Sequence, residues 1–266
     1  MAEQLPPTQY QPPTQNLARP RPQSQTPPSS STPVVASFDS AHITLGAGVS
    51  IFHIATARCV LCYHPVHRYY FLPKGRKDTH ESLTDAAQRE GFEESGYRNR
   101  LLPVPIVHRQ PSAHVVGNSV GLETEEETLL EREEWATEAI WCQMMPVQRR
   151  AQYLLFWYVA ETVPEDVERA MAEEEKSEGV GYRAPRAFEP GMTLRRRVEM
   201  EGRGYEPVRH EGTGVDEEEA LYESSLVGID EAIQKLGRGS VSADVVRRGW
   251  EAVCRRWSME GNAQAG

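Results

Sequence analysis

Three glutamates, Glu90, Glu93 and Glu94, stand at positions i, i+3 and i+4. On an α-helix that spacing points all three carboxylates to one side. Like charges so placed repel by roughly a few tenths of a kcal/mol per pair on an isolated helix. A hard divalent cation turns the cost into a site, because Mg²⁺ seeks carboxylate oxygens and keeps several of its waters. Gly75, Glu81 and Arg89 precede the trio and Gly96 follows it, all between Gly75 and Tyr97.

That stretch resembles the signature box of the Nudix hydrolases, Gly-x5-Glu-x7-Arg-Glu-U-x-Glu-Glu-x-Gly-U with U apolar. Gly75, Glu81, Arg89, Glu90, Glu93, Glu94 and Gly96 fill the seven fixed positions; Tyr97 takes the last U position, while Gly91 at the first departs from the usual Leu, Ile, Val or Ala. The resemblance implies a Nudix-type α/β/α sandwich with a mixed β-sheet and hydrolysis of a phosphoanhydride with Mg²⁺ or Mn²⁺ as cofactor. It implies Glu90, Glu93 and Glu94 as metal ligands within a catalytic set that includes Arg89, which would pair with Glu81 or Glu93. Gly75, Glu81 and Gly96 are supporting residues. The negative oxygens of a phosphoanhydride repel a nucleophile, so cations must neutralise them and the attack must be in line.

The loop leading into the box reads Leu72-Pro-Lys-Gly-Arg-Lys-Asp78. Lys74 and Arg76 could contact substrate phosphates, lysine as a point charge and arginine in a bidentate way; with Lys77 they could equally be a solubilising loop. The Leu-Pro-Lys-Gly run is similar to that of diadenosine polyphosphate and inositol pyrophosphate hydrolases. A tyrosine often found 16 to 18 residues beyond the box in the dinucleoside polyphosphate group is absent, since Ala113, His114 and Val115 occupy that region. The family often draws a general base from a later glutamate, for which Glu123, Glu125, Glu126, Glu127, Glu131, Glu133 and Glu134 are all candidates. Arg195-Arg-Arg197 could touch polyphosphate or stand as a mobile basic loop. A phosphorylated small molecule is the expected partner; the other reading is a non-catalytic Nudix-fold binding or scaffold module.

The remaining composition is consistent with that picture. A formal charge of −10 over 266 residues argues against a nucleic-acid-coating protein. Cys59 and Cys62 are a Cys-x-x-Cys pair without a second pair, on a strand where an odd offset sends the thiols to opposite faces, so they read as buried and reduced. His64 and His67, just beyond, leave an opening for metal binding. The sequence has no basic start followed by an apolar core and no apolar run of the ~18–20 residues that span a membrane, so a cytoplasmic or nuclear location is expected.

These elements must hold the site. Residues 1–40, rich in Pro, Gln, Ser and Thr, cannot bury enough surface to offset ordering and read as a disordered tail whose Pro-Pro pairs could suit a polyproline-binding partner. Residues 41–260 read as the hydrolase domain. Strands are expected at 43–55, 58–63 and 69–72, then a helix over about 82–95 capped by Ser82 or Thr79 and ended by Gly96. Leu83, Ala86, Ala87 and Gly91 give that helix a small-residue face for close packing on a sheet. Further strands are expected at 101–107, 138–145 and 152–160. Residues 164–219, dominated by Glu, Arg, Gly and Pro, read as a largely disordered charged insertion with a short helix at 165–176. Apolar order resumes at 220–227, followed by helices at 231–236, capped by Asp230, and at 242–257.

Overall fold

In the computed structural model the described residues are 30–108, 110, 134–147, 151–178, 182–202 and 204–263. The centre of the fold is a parallel pair, β1 (Ile43–His53) beside β9 (Ala151–Thr162), in register from Ile43 opposite Gln152 to Phe52 opposite Glu161. Both are apolar runs buried along most of their length, as a strand covered on both faces must be. β2 (Arg58–His64) pairs antiparallel with the end of β1 and carries β10 (Glu223–Gly228) outside it and β3 (Tyr69–Phe71) as a hairpin partner. β4 (Lys74–Arg76) pairs with β1 at Gly46–Gly48, while β8 (Trp141–Val147) and β5 (Asn99–Leu101) pair with β9. The result is a mixed eight-stranded sheet.

Alternation along the strands divides two cores. Ala47, Val49 and Ile51 of β1, Val60 of β2 and Tyr158 and Ala160 of β9 face α1 (Leu83–Ser95), which contributes Ala86 and Ala87. Phe52, Cys59, Leu61, Leu155, Trp157 and Val159 point the other way. There they meet α4 (Ile229–Leu236) and α5 (Val241–Ala263) through Ala232, Val245, Val246 and Val253. Helices on both faces of a mixed sheet make the expected α/β/α sandwich. Cys59 and Cys62 are buried free thiols on opposite faces; burial pushes both above the ordinary thiol range. Among the described residues no helix is long and apolar enough to cross a membrane.

Three expectations change. The run at 101–107 is split at Pro103, which has no N–H to give a ladder. β5 stays in the main sheet, and β6 (Val104–Ile106) pairs instead with β7 (Glu134–Ala136) in a separate ribbon. The helix read from 231 begins at Ile229, so Asp230 lies in its first turn and Gly228 takes the capping position. Residues 164–219, read as largely disordered, carry α2 (Glu165–Glu178), α3 (Leu194–Glu199) and buried side chains at Val167, Met171, Phe188, Leu194 and Arg197. Their charges are spent in pairs, a circumstance that composition hides. Arg197 meets Glu161 of β9 at 2.9 Å and Glu201 at 3.1 Å, and Arg98 pairs with Glu168 and Glu175 of α2. Arg197 is therefore an interior anchor, and Arg195 lies over the Trp257 ring, 5.1 Å from its centroid. Of the proposed tail, residues 1–29 lie outside the described residues, and 30–39 are exposed without helix or strand. Ala113–Val115 and the glutamates from Glu123 to Glu133 also lie outside them, as does the side chain of Glu134.

Candidate functional site

The site is built on α1. Ser82 caps it by accepting from the Asp85 N–H at 3.0 Å, and Gly96 ends it with φ 72°, its N–H donating to the Phe92 carbonyl at 2.7 Å. A glycine suits that left-handed position. The helix sits close to the sheet because Gly91 has no side chain: a Cβ there would lie 2.5 Å from Asn99 Nδ2 and 2.9 Å from Val49 Cγ1. This depth puts Glu90, Glu93 and Glu94 in a mostly buried position, each less than a tenth exposed.

The loop running into α1 closes over them. Lys74 donates its backbone N–H to Glu94 Oε2 at 2.7 Å, and the Tyr153 hydroxyl donates to the Gly75 carbonyl at 2.9 Å. A Cβ on Gly75 would fall 2.0 Å from Glu90 Oε2, so any larger residue there would push the Glu90 carboxylate out of its present position. Arg89 is the organiser. Its guanidinium donates to both oxygens of Glu81 at 2.8 and 2.9 Å, to Glu90 Oε1 at 2.9 Å, to Glu93 Oε2 at 2.7 Å and to the Arg76 carbonyl at 3.0 Å. Such forked, charge-assisted contacts fix orientation as well as charge.

One member of the cluster comes from far along the chain. A 3-10 turn at Glu219–Leu221, just before β10, places the Glu219 carboxylate so that its oxygen and those of Glu90 and Glu94 lie within 4.8 Å of one another. Asp216 Oδ1 accepts from the N–H groups of Glu218 and Glu219 at 2.9 and 2.8 Å, and Val215 N–H donates to Glu219 Oε2 at 2.9 Å. In sequence Glu219 is one acid in a run that begins at Asp216, with nothing in its spacing to link it to α1. Glu93 stands beside this cluster, held by Arg89. The side chain of Lys74 is half-buried and that of Arg76 is exposed at the rim. A cavity of about 360 Å³ opens next to Glu93, Glu94 and Glu219, walled by Arg209, Thr213 and Tyr222.

Electrostatics follow from the packing. Burial pushes Glu94 up to about 8 against the opposing charge and N–H of Lys74, and Glu90 up to about 7 against Arg89. Burial raises Glu93 and Glu219 as well. Glu81 moves the other way, held below the usual range by its bond to Arg89. Three carboxylates this close, with Arg89 shared among Glu81, Glu90 and Glu93 and Lys74 as the cation acting on Glu94, have less positive charge around them than they need to ionise together. An oxygen-seeking cation would supply it, so the donor set fits Mg²⁺ or Mn²⁺.

No protein-family model matches the chain, and no curated protein matches its sequence. Solved structures do match. A NUDIX hydrolase from Nitrosomonas europaea is 13% identical over 79% of this chain and 88% of its own, with a TM-score of 0.38. A NUDIX-family hydrolase from Clostridium perfringens is 13% identical over 79% and 95%, with a TM-score of 0.35. An Ap4A hydrolase from C. elegans is 12% identical over 80% and 98%, with a TM-score of 0.36. At such identity and overlay, what the site does is decided by its own side chains.

Proposed function

We propose that this chain is a divalent-metal-dependent Nudix hydrolase that cleaves a phosphoanhydride bond in a polyphosphorylated small molecule such as a dinucleoside polyphosphate or an inositol pyrophosphate. The observation that carries the reading is the convergence within 4.8 Å of oxygens from buried Glu90 and Glu94 and half-buried Glu219, beneath a loop that brings Gly75 close against the Glu90 carboxylate. Glu90, Glu94 and Glu219 would hold Mg²⁺ or Mn²⁺, with Glu93 alongside. The bound ion supplies charge neutralisation of the phosphoryl oxygens and a better nucleophile from water. Arg89 keeps Glu81, Glu90 and Glu93 in fixed rotamers, which spares the site that ordering cost during the reaction. Half-buried Lys74 and exposed Arg76 would bind the outer phosphates. The cavity beside Glu94 gives the non-reacting part of the substrate a place to sit.

The test is hydrolysis of a panel of dinucleoside polyphosphates, nucleotide sugars and inositol pyrophosphates with Mg²⁺, Mn²⁺ or EDTA. Metal-dependent turnover of at least one member is expected, with kcat reduced about 10²-fold or more in Glu94→Gln while the circular dichroism spectrum is unchanged. Full activity in Glu94→Gln would sink the mechanism, and no turnover across the panel would favour a binding module.

A further inference from the structure

A second group of ligand-type side chains lies on the far side of the same turn, at the mouth of the β2–β3 hairpin. His64 ends β2, opposite Tyr69 of β3. Between them the chain reverses tightly: Arg68, at φ 56°, donates its N–H to the His64 carbonyl at 2.7 Å. The reversal folds His67 back over His64, with ring centroids 4.4 Å apart and the His67 N–H 3.4 Å from His64 Nδ1. Glu218 completes the group, its Oε1 3.2 Å from His64 Nε2. One ligand atom from each of the three lies within 4.8 Å of the others.

We propose that His64, His67 and Glu218 form a binding site for Zn²⁺, distinct from the all-carboxylate site of Glu90, Glu94 and Glu219. The donor set separates the two ions. Two imidazoles and one carboxylate suit a borderline first-row cation, with Zn²⁺ commonly held by three such ligands and an open fourth position, whereas Mg²⁺ takes oxygen ligands. The hairpin and the Asp216-capped turn fix the geometry before any ion arrives. His64 is 2% exposed and walled by the Tyr69 and Tyr222 rings at 5.4 and 5.3 Å, so its imidazole has little freedom to lose on binding. His67 and Glu218 lie on the open side, where solvent can reach the fourth position. This site stands whether or not the hydrolase reading holds.

The test is calorimetric titration of ZnCl₂ into the untagged full chain, in excess Mg²⁺, with the exposed Cys142 and Cys254 changed to serine to remove competing thiols. One Zn²⁺ per chain is expected. Binding should persist in Glu94→Gln and weaken about tenfold or more in His67→Ala. That substitution removes an exposed ring and leaves the core untouched; His64→Asn should weaken binding similarly. Wild-type affinity in His67→Ala, loss of binding in Glu94→Gln, or no binding in excess Mg²⁺ would each overturn the proposal.

Discussion

At the scale of single residues, the site is a case of carboxylates held where they ionise reluctantly. Burial raises Glu90 to about 7 and Glu94 to about 8 from an ordinary 4.5. The folded, metal-free chain therefore binds more protons than the unfolded chain between those limits. The stability linked to these two groups is full below about pH 4.5 and is lost as pH rises through 7 and 8. In EDTA the melting temperature should accordingly fall between about pH 5.5 and about pH 8.5. Saturating Mg²⁺ should flatten that fall, because a cation that binds only the folded carboxylates replaces the protons they lose. Differential scanning fluorimetry across both series reads this directly, and equal slopes with and without Mg²⁺ would contradict it. Glu90, Glu93 and Glu94 are legible from their helical spacing, since one helix carries them, and Arg89 from the resemblance to the Nudix box. Glu219 is not, because its connection to them exists only through the sheet: β10 pairs with β2, which lies under α1.

At the scale of elements, α1 shows two effects opposed in sign. Glycine at position 91 costs about 1 kcal/mol of helix propensity relative to alanine. Close approach explains why it is kept: a Cβ would press within 2.5 Å of Asn99, whose amide donates to the Gln88 carbonyl at 3.0 Å and so cannot simply swing away. Overpacking of that kind costs about 1–3 kcal/mol and outweighs the propensity gain. Gly91→Ala should therefore lower stability by about 1 kcal/mol, and displacing α1 should also raise the Mg²⁺ concentration needed for half-maximal protection. Urea unfolding with and without Mg²⁺ checks both; a stabilised variant would show that α1 has room to spare. The close-packing face of this helix and its end at Gly96 could be read from sequence, as could the apolar strand runs, while the sequence leaves its cap at Ser82 or Thr79 and the fold uses Ser82. The split at Pro103 could not be placed, because β6 takes a partner, β7, from about thirty residues downstream.

At the scale of the whole molecule, composition misled most between 164 and 219. A polar, Arg- and Glu-rich segment reads as solvated when its charges are counted along the chain. In the fold they neutralise partners on β9 and just ahead of β5: Arg197 meets the fully buried Glu161, Glu168 and Glu175 meet Arg98, and Arg197 also meets Glu201, which in turn contacts His53 at 3.2 Å. Removing one partner of a buried pair costs about 3–5 kcal/mol, since it strands the other charge. Arg197→Ala should destabilise the protein by about that amount in urea unfolding; a loss below about 1 kcal/mol would mean the segment is not anchored there. The position of Glu219, at the far end of this segment, sets an order of events during synthesis. Residues 75–97 leave the ribosome as an incomplete acidic pocket, and more than a hundred further residues must be made, folded and clamped before the third carboxylate arrives. On the proposed metal site, the growing chain would lack a complete cage until then, and the last third of the polypeptide would time the onset of the proposed chemistry.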